Sequence, residues 1–190
     1  MKKLLIDCGS NLGQGFENLS QELNIDKNWE IIMFEPNHNC IDTLKNKTKN
    51  LNVTIYSKLV YIKNDYIEFN IPKNDITSVG ATIHKDFHNS KYKIDYLPSI
   101  KIQSLDLSSF INDLVEDYEI YLKLDVEGSE YEILEKMIDD GTHLKLKKLY
   151  VEFHDLYSSE YNLKKFDLIN RKMNILNEFS LSKIEYIIWE

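Results

Sequence analysis

"LLIDCGSNLGQG", residues 4–15, sets an apolar run ending at Asp7 directly before three glycines, Gly9, Gly13 and Gly15. The pattern is that of a strand turning into a helix through a loop bare enough for a ligand to approach the backbone. It predicts a first strand at "KLLID" and a helix from about Gly13 to Leu23, with Phe16, Leu19 and Leu23 on one face. A P-loop ends in Gly-Lys-Ser/Thr, whereas Gly15 precedes Phe16 and Glu17, so that reading fails. A dinucleotide fingerprint runs G-x-G-x-x-G, and here the order is G-x-x-x-G-x-G.

Beyond the loop, apolar runs alternate with amphipathic stretches, as in an α/β sheet with crossover helices. "WEIIMFE" predicts strand two, stopped by Pro36; residues 37–49 predict a helix and "LNVTIYS" strand three. "KLVYIKNDYIEFNI" holds two alternating runs about "KND", a hairpin signal. Residues 72–100 carry no clear period but hold Pro72, Pro98, His84, Phe87, His88, Tyr92 and Tyr96, a composition that argues for a functional insertion over disorder. Regular alternation resumes with the strand "IKIQSLD", a helix over 105–114 and the strand "YEIYLKLD" ending at Asp125. A helix then opens near Gly128 and is capped by Gly141, followed by the strand "LKKLYVEFHD", a helix over 158–177 and the strand "IEYIIWE". The expectation is one domain over residues 1–190, with its ends tied into the sheet and no room for an appended domain.

Composition narrows the function classes. The 190 residues carry a formal net charge of −8, which disfavours nucleic acid as a partner. Lys45, Lys47 and Lys49 read as a solvated helix face. No apolar run approaches the ~18 residues of a membrane span. The apolar stretch after Lys2 and Lys3 is too short for a secretory signal, so a cytoplasmic protein is expected. Cys8 and Cys40 match no zinc spacing and read as buried thiols in a reducing compartment.

Three groups of residues carry chemistry. Glu35, in "FEP" at the end of strand two, stands where a carboxylate accepts hydrogen bonds from both ribose hydroxyls, so a nucleoside ligand is expected. Asp7 beside the glycines suits a cation better than a pyrophosphate. S-adenosylmethionine offers a ribose, an ammonium and a sulfonium with no phosphate; the alternative is that Asp7 caps loop amides. In "YLKLDVEGSEYEIL", residues 121–134, Asp125 falls at the carboxyl end of a strand, where open α/β sheets bind ligands. Glu130 and Glu132 are explained by the helix dipole, and Glu127 stays open between loop contact and site residue. In "YVEFHD", Glu152 and His154 point to one side by strand alternation, as a metal pair, a base or a structural ion pair.

The successive motifs "IDCGSNLGQG", "FEPN", "IQSLDLSSFI", "LKLDVEGSEYEILEKM" and "YVEFHD" resemble those of FkbM-type S-adenosylmethionine-dependent methyltransferases over nearly the whole chain. The resemblance implies a Rossmann-like class I methyltransferase fold: a mostly parallel seven-stranded sheet with helices on both faces and an antiparallel last strand. It implies methyl transfer to oxygen, commonly a hydroxyl of a sugar or of a glycosylated or polyketide product. Asp7, Gly9, Asn11 and Gly13 would wrap the methionine end, Glu35 the ribose, and Ser57 and Lys58 would lie near the adenine. Asp125 would lie between cofactor and acceptor, with Glu152 and His154 facing the acceptor. Strand one starts so near Met1 that the acceptor pocket is expected from residues 72–100, from the loops after Asp125 and Glu152, or from a second subunit of a homo-oligomer.

Two mechanisms for removing the acceptor proton are open. Asp125, Glu152 and His154 could hold Mg²⁺ or Mn²⁺, or His154 or Asp125 could act as general base without metal, which is preferred. The rival functions are a nicotinamide-dinucleotide oxidoreductase, disfavoured by the glycine order and Asp7, and a methyltransferase-like protein that binds without catalysis.

Overall fold

Leu4, Leu5, Ile6, Asp7 and Cys8 are all sealed from solvent, so the opening apolar run becomes a central strand covered on both faces. The computed structural model describes residues 1–84, 94–154 and 161–189, with side chains in the last helix described from Asp167. In chain order the elements are β1 (Lys2–Cys8), α1 (Gln14–Glu22), β2 (Glu30–Phe34), α2 (Ile41–Thr48), β3 (Asn52–Tyr56), β4 (Leu59–Tyr61) and β5 (Tyr66–Phe69). They continue with β6 (Ile100–Asp106), α3 (Leu107–Asn112), β7 (Tyr118–Leu124), α4 (Glu130–Asp139), β8 (Leu146–Glu152), α5 (Tyr161–Leu181) and β9 (Glu185–Trp189). Phe87, His88, Tyr92 and the start of the helix expected over 158–177 lie outside the described residues.

The main sheet runs β3-β2-β1-β7-β8-β9, and every neighbouring pair is parallel. The chain winds outward from β1 to β3, then returns to β7 and winds the other way. The tips of β1 and β7 therefore flank the point where winding reverses, where α/β sheets bind ligands. The expected seven strands with an antiparallel last strand are corrected: among the described residues this sheet has six, and β9 runs parallel to β8. The reason is the connection, since one crossover helix, α5, returns the chain in its original direction.

Helices cover both faces. Phe16 and Leu19 of α1 and Leu44 of α2 pack with Leu5, Met33, Tyr121 and Tyr150 on one side. On the other, α3, α4 and α5 bring Ile111, Leu134 and Phe179 onto the core of Leu4, Ile6 and Leu122. The two sets alternate along each strand, as the pleat requires.

The hairpin expected about "KND" is overturned. β6 enters between its arms, parallel to β4 and antiparallel to β5. Ser104 gives the physical reason: its hydroxyl donates to the Lys63 carbonyl at 2.8 Å and accepts from the Asp65 amide at 3.0 Å, so the turn closes on β6. Leu59, Phe69 and Ile71 form a small separate core beneath this three-stranded sheet.

Candidate active site

The loop after β1 is tied to the tip of β2. Gly9 and Ser10 both donate to the Phe34 carbonyl, and the Asn11 amide donates to Glu35 Oε2 at 2.6 Å. The Asn37 amide supplies the second bond, to Glu35 Oε1 at 2.7 Å. Burial raises the Glu35 carboxyl to about 7 although both amides favour its charged form. Each oxygen keeps acceptor capacity beyond its one amide, so the two could still meet a ligand's diol.

The glycines answer to the chain itself. A Cβ built on Gly9 would lie 1.7 Å from the Asp125 carbonyl oxygen, and the residue holds φ +79. Gly9 is bare because the loops leaving β1 and β7 cross there. A Cβ on Gly15 would lie 2.6 Å from Lys123 Cε, so α1 sits directly on that lysine. Gly13 precedes α1 in a left-handed conformation.

A cleft opens over these tips, lined by the apolar Phe34, Leu59, Val60 and Phe69 and by the acids Glu35, Asp125 and Glu127. Residues 75–82 run beside its mouth: Asn37 Nδ2 donates to the Ile76 carbonyl at 2.6 Å, Asn11 Nδ2 to that of Thr77 at 3.1 Å, and Thr82 Oγ1 to that of Glu127 at 2.7 Å. Ser57 is exposed and Lys58 half-buried in the β3–β4 connection; the next residues, Leu59 and Val60, line the cleft instead.

Asp7 is sealed from solvent, does not line the cleft and does not cap loop amides; its Oδ1 instead lies 3.2 Å from the ammonium of buried Lys123. The same Nζ lies 3.3 Å from Asp125 Oδ2 and donates to the Gly9 carbonyl at 2.9 Å. Burial opposes the lysine's charge, and the carboxylates of Asp7 and Asp125 override it, holding the group above the usual lysine range. The sequence reading passed over Lys123. The signal was there: a charge set among the apolar residues at the end of β7, two residues before Asp125 and so on its face of the strand.

His154 gathers the acids beyond Asp125. Its Nδ1 lies 3.0 Å from Glu130 Oε1, and its Nε2 lies 3.3 Å from Glu127 Oε2, 3.6 Å from Glu152 Oε1 and 3.9 Å from Asp125 Oδ1. Burial opposes protonation, but the Glu130 bond and the charges of Glu130, Glu127 and Asp125 push the imidazole up to about 10. Glu130 is wholly buried and also accepts from the Val126 amide at 2.9 Å and the Gly128 amide at 3.2 Å. It serves this cluster, a role that the helix-dipole explanation of first-turn acids had hidden. Glu127 sits at φ +58, turned back toward His154. Glu152 is raised by burial and by Asp125. One donor each from Asp125, Glu127 and His154 falls within 4.8 Å of the others, so the less favoured metal alternative would draw on Glu127 where Glu152 was named.

Among the described residues, no helix is long and apolar enough to cross a membrane. No curated protein and no solved structure matches the chain. The family model described as "Methyltransferase FkbM domain" matches residues 7–179, from the aspartate at the tip of β1 to the last turns of α5. With its parallel sheet and its cleft at the winding reversal, the chain belongs to the FkbM methyltransferase family, whose activity is S-adenosylmethionine-dependent methyl transfer.

Proposed function

We propose that the protein methylates a hydroxyl oxygen of a sugar or other polyol. The observation that carries this reading is that one cleft brings together apolar side chains, Glu35, and the acids Asp125 and Glu127. Phe34, Leu59, Val60 and Phe69 suit an adenine face, and Glu35 suits the ribose diol. When bound, S-adenosylmethionine supplies a methyl group already activated by its sulfonium. Asp125, at the switch point, stands where the acceptor oxygen must lie in line with that methyl. The acids repel carboxylate and phosphate acceptors, whereas a polyol donates hydrogen bonds to them.

Asp125 is the group assigned to take the hydroxyl proton as the new C–O bond forms and the S–CH₃ bond breaks. His154, protonated at neutral pH in this arrangement, has no lone pair for that task and instead steadies the carboxylates. A second reading rests on the three donors of Asp125, Glu127 and His154, which could hold Mg²⁺ or Mn²⁺. Methyl-transfer assays over a panel of sugars, phenols and amines test the acceptor class. The same assay after exhaustive chelation tests the metal: full activity is expected, whereas loss with recovery on Mg²⁺ or Mn²⁺ addition establishes the second reading.

Glu35 gives a further expectation. Glu35→Ala should weaken S-adenosylhomocysteine binding by about 1.5–3 kcal/mol, the range for hydrogen bonds to a charged group. Because burial holds the carboxyl at about 7 and a bound diol favours its ionised form, affinity should rise with pH through that value. Titrations from about pH 6 to about pH 8 should show the rise in wild type and a flat response in Glu35→Gln. A wild-type response as flat as the variant's removes Glu35 from the ribose.

A further inference from the structure

We propose that Lys123 is a positioning residue that locks the cofactor loop to the tip of β7, holding Gly9 and Asp125 in fixed relation. The inference rests on the cofactor reading above and gives it a mechanical part.

Asp7 and Lys123 are direct partners in the parallel register of β1 and β7, so their side chains leave the sheet on one face. That face is closed over them by α1, and Gly15 is the position that lets the helix down onto the lysine's methylenes, with Trp189 beside it. Lys123 is 2 % exposed and does not line the cleft. Charge compensation alone would need only the contacts with Asp7 and Asp125. Yet the shortest contact of Nζ goes to a neutral group, the Gly9 carbonyl at 2.9 Å, ahead of Asp7 at 3.2 Å and Asp125 at 3.3 Å. The lysine therefore draws the first residue of the loop toward β7 at the place where that loop crosses the Asp125 carbonyl. It reaches Asp125 from the same atom, at 3.3 Å. Loop and acid are held from one buried point. Asp7 has the complementary task of making the buried ammonium tolerable.

The two roles separate in a set of variants. Lys123→Met leaves Asp7 buried without its cation and should unfold at markedly lower urea concentration. Asp7→Asn/Lys123→Met removes both charges at similar volume and should recover most of that midpoint, because Asp125 is partly exposed and can be hydrated. If Lys123 positions the loop, the recovered double variant still binds S-adenosylhomocysteine weaker by about tenfold or more. Amides 9–13 should also exchange hydrogen faster in it than in wild type. Asp7→Asn alone, which keeps the bond to Gly9, should stay within about threefold of wild-type affinity.

Affinity that returns with stability in the double variant overturns the proposal, as does an Asp7→Asn loss equal to that of the double variant. Should wild type itself fail to bind S-adenosylhomocysteine, the cofactor reading falls. The exchange comparison then still decides whether Lys123 holds the loop: unchanged rates at 9–13 overturn it and faster rates support it.

Discussion

Gly9→Val is expected to cost the protein its fold as well as its cofactor. A ligand-facing glycine would tolerate a side chain structurally and lose only binding. Here the new Cβ would point at backbone, 1.7 Å from the Asp125 carbonyl oxygen, and no side-chain rotation relieves that. The left-handed conformation, φ +79, adds about 1–3 kcal/mol for a residue with a Cβ and more for a β-branched one. Both costs fall where β1 and β7 are paired, against a typical total stability of about 5–15 kcal/mol. Urea unfolding followed by tryptophan fluorescence checks this, since Trp29 is buried in the core on the α1 face and half-buried Trp189 packs against it. A wild-type midpoint combined with lost S-adenosylhomocysteine binding would return Gly9 to the role of a ligand contact.

Asp125→Asn should have the opposite profile. The amide preserves shape but cannot take a proton, so turnover should fall by about 100-fold or more, the scale of a lost general base. Binding of S-adenosylhomocysteine should change by no more than about threefold, since Glu35 and the apolar residues of the cleft are untouched. The measurement is steady-state kinetics with whichever acceptor the panel identifies, beside a cofactor titration. A variant that loses affinity and keeps turnover removes Asp125 from the chemistry.

The fold was legible where local pattern and pairing agree. The runs ending at Asp7, Phe34 and Asp125 are strands because each is apolar enough to be covered on both faces, and covered strands need crossover helices. Pattern failed at "KND", where two alternating runs imply a hairpin and the distant strand β6, tied to the turn by Ser104, separates them. It failed again at the last strand, whose direction depends on its connection, while its alternation reads the same either way. The places of Glu35, Asp125 and His154 at strand ends were legible, and the structure sets Glu35 and Asp125 in the cleft with His154 among the acids behind it. Glu127 and Glu130 were not, because their roles depend on how one loop turns: Glu127 swings back at φ +58, and Glu130 collects the amides of Val126 and Gly128 before meeting His154. Lys123 was not legible because a lysine ordinarily reads as surface, and its burial depends on Gly15, which lets α1 down onto it.

The central claim is that one cleft holds the adenosyl group of the cofactor with its ribose on Glu35. Isothermal titration of S-adenosylhomocysteine into wild type and Glu35→Gln, with NAD as a competitor, tests it most directly. Saturable one-to-one binding is predicted, weakened in Glu35→Gln and undisturbed by NAD. Binding of NAD in place of S-adenosylhomocysteine, or equal S-adenosylhomocysteine affinity in the two proteins, would contradict it.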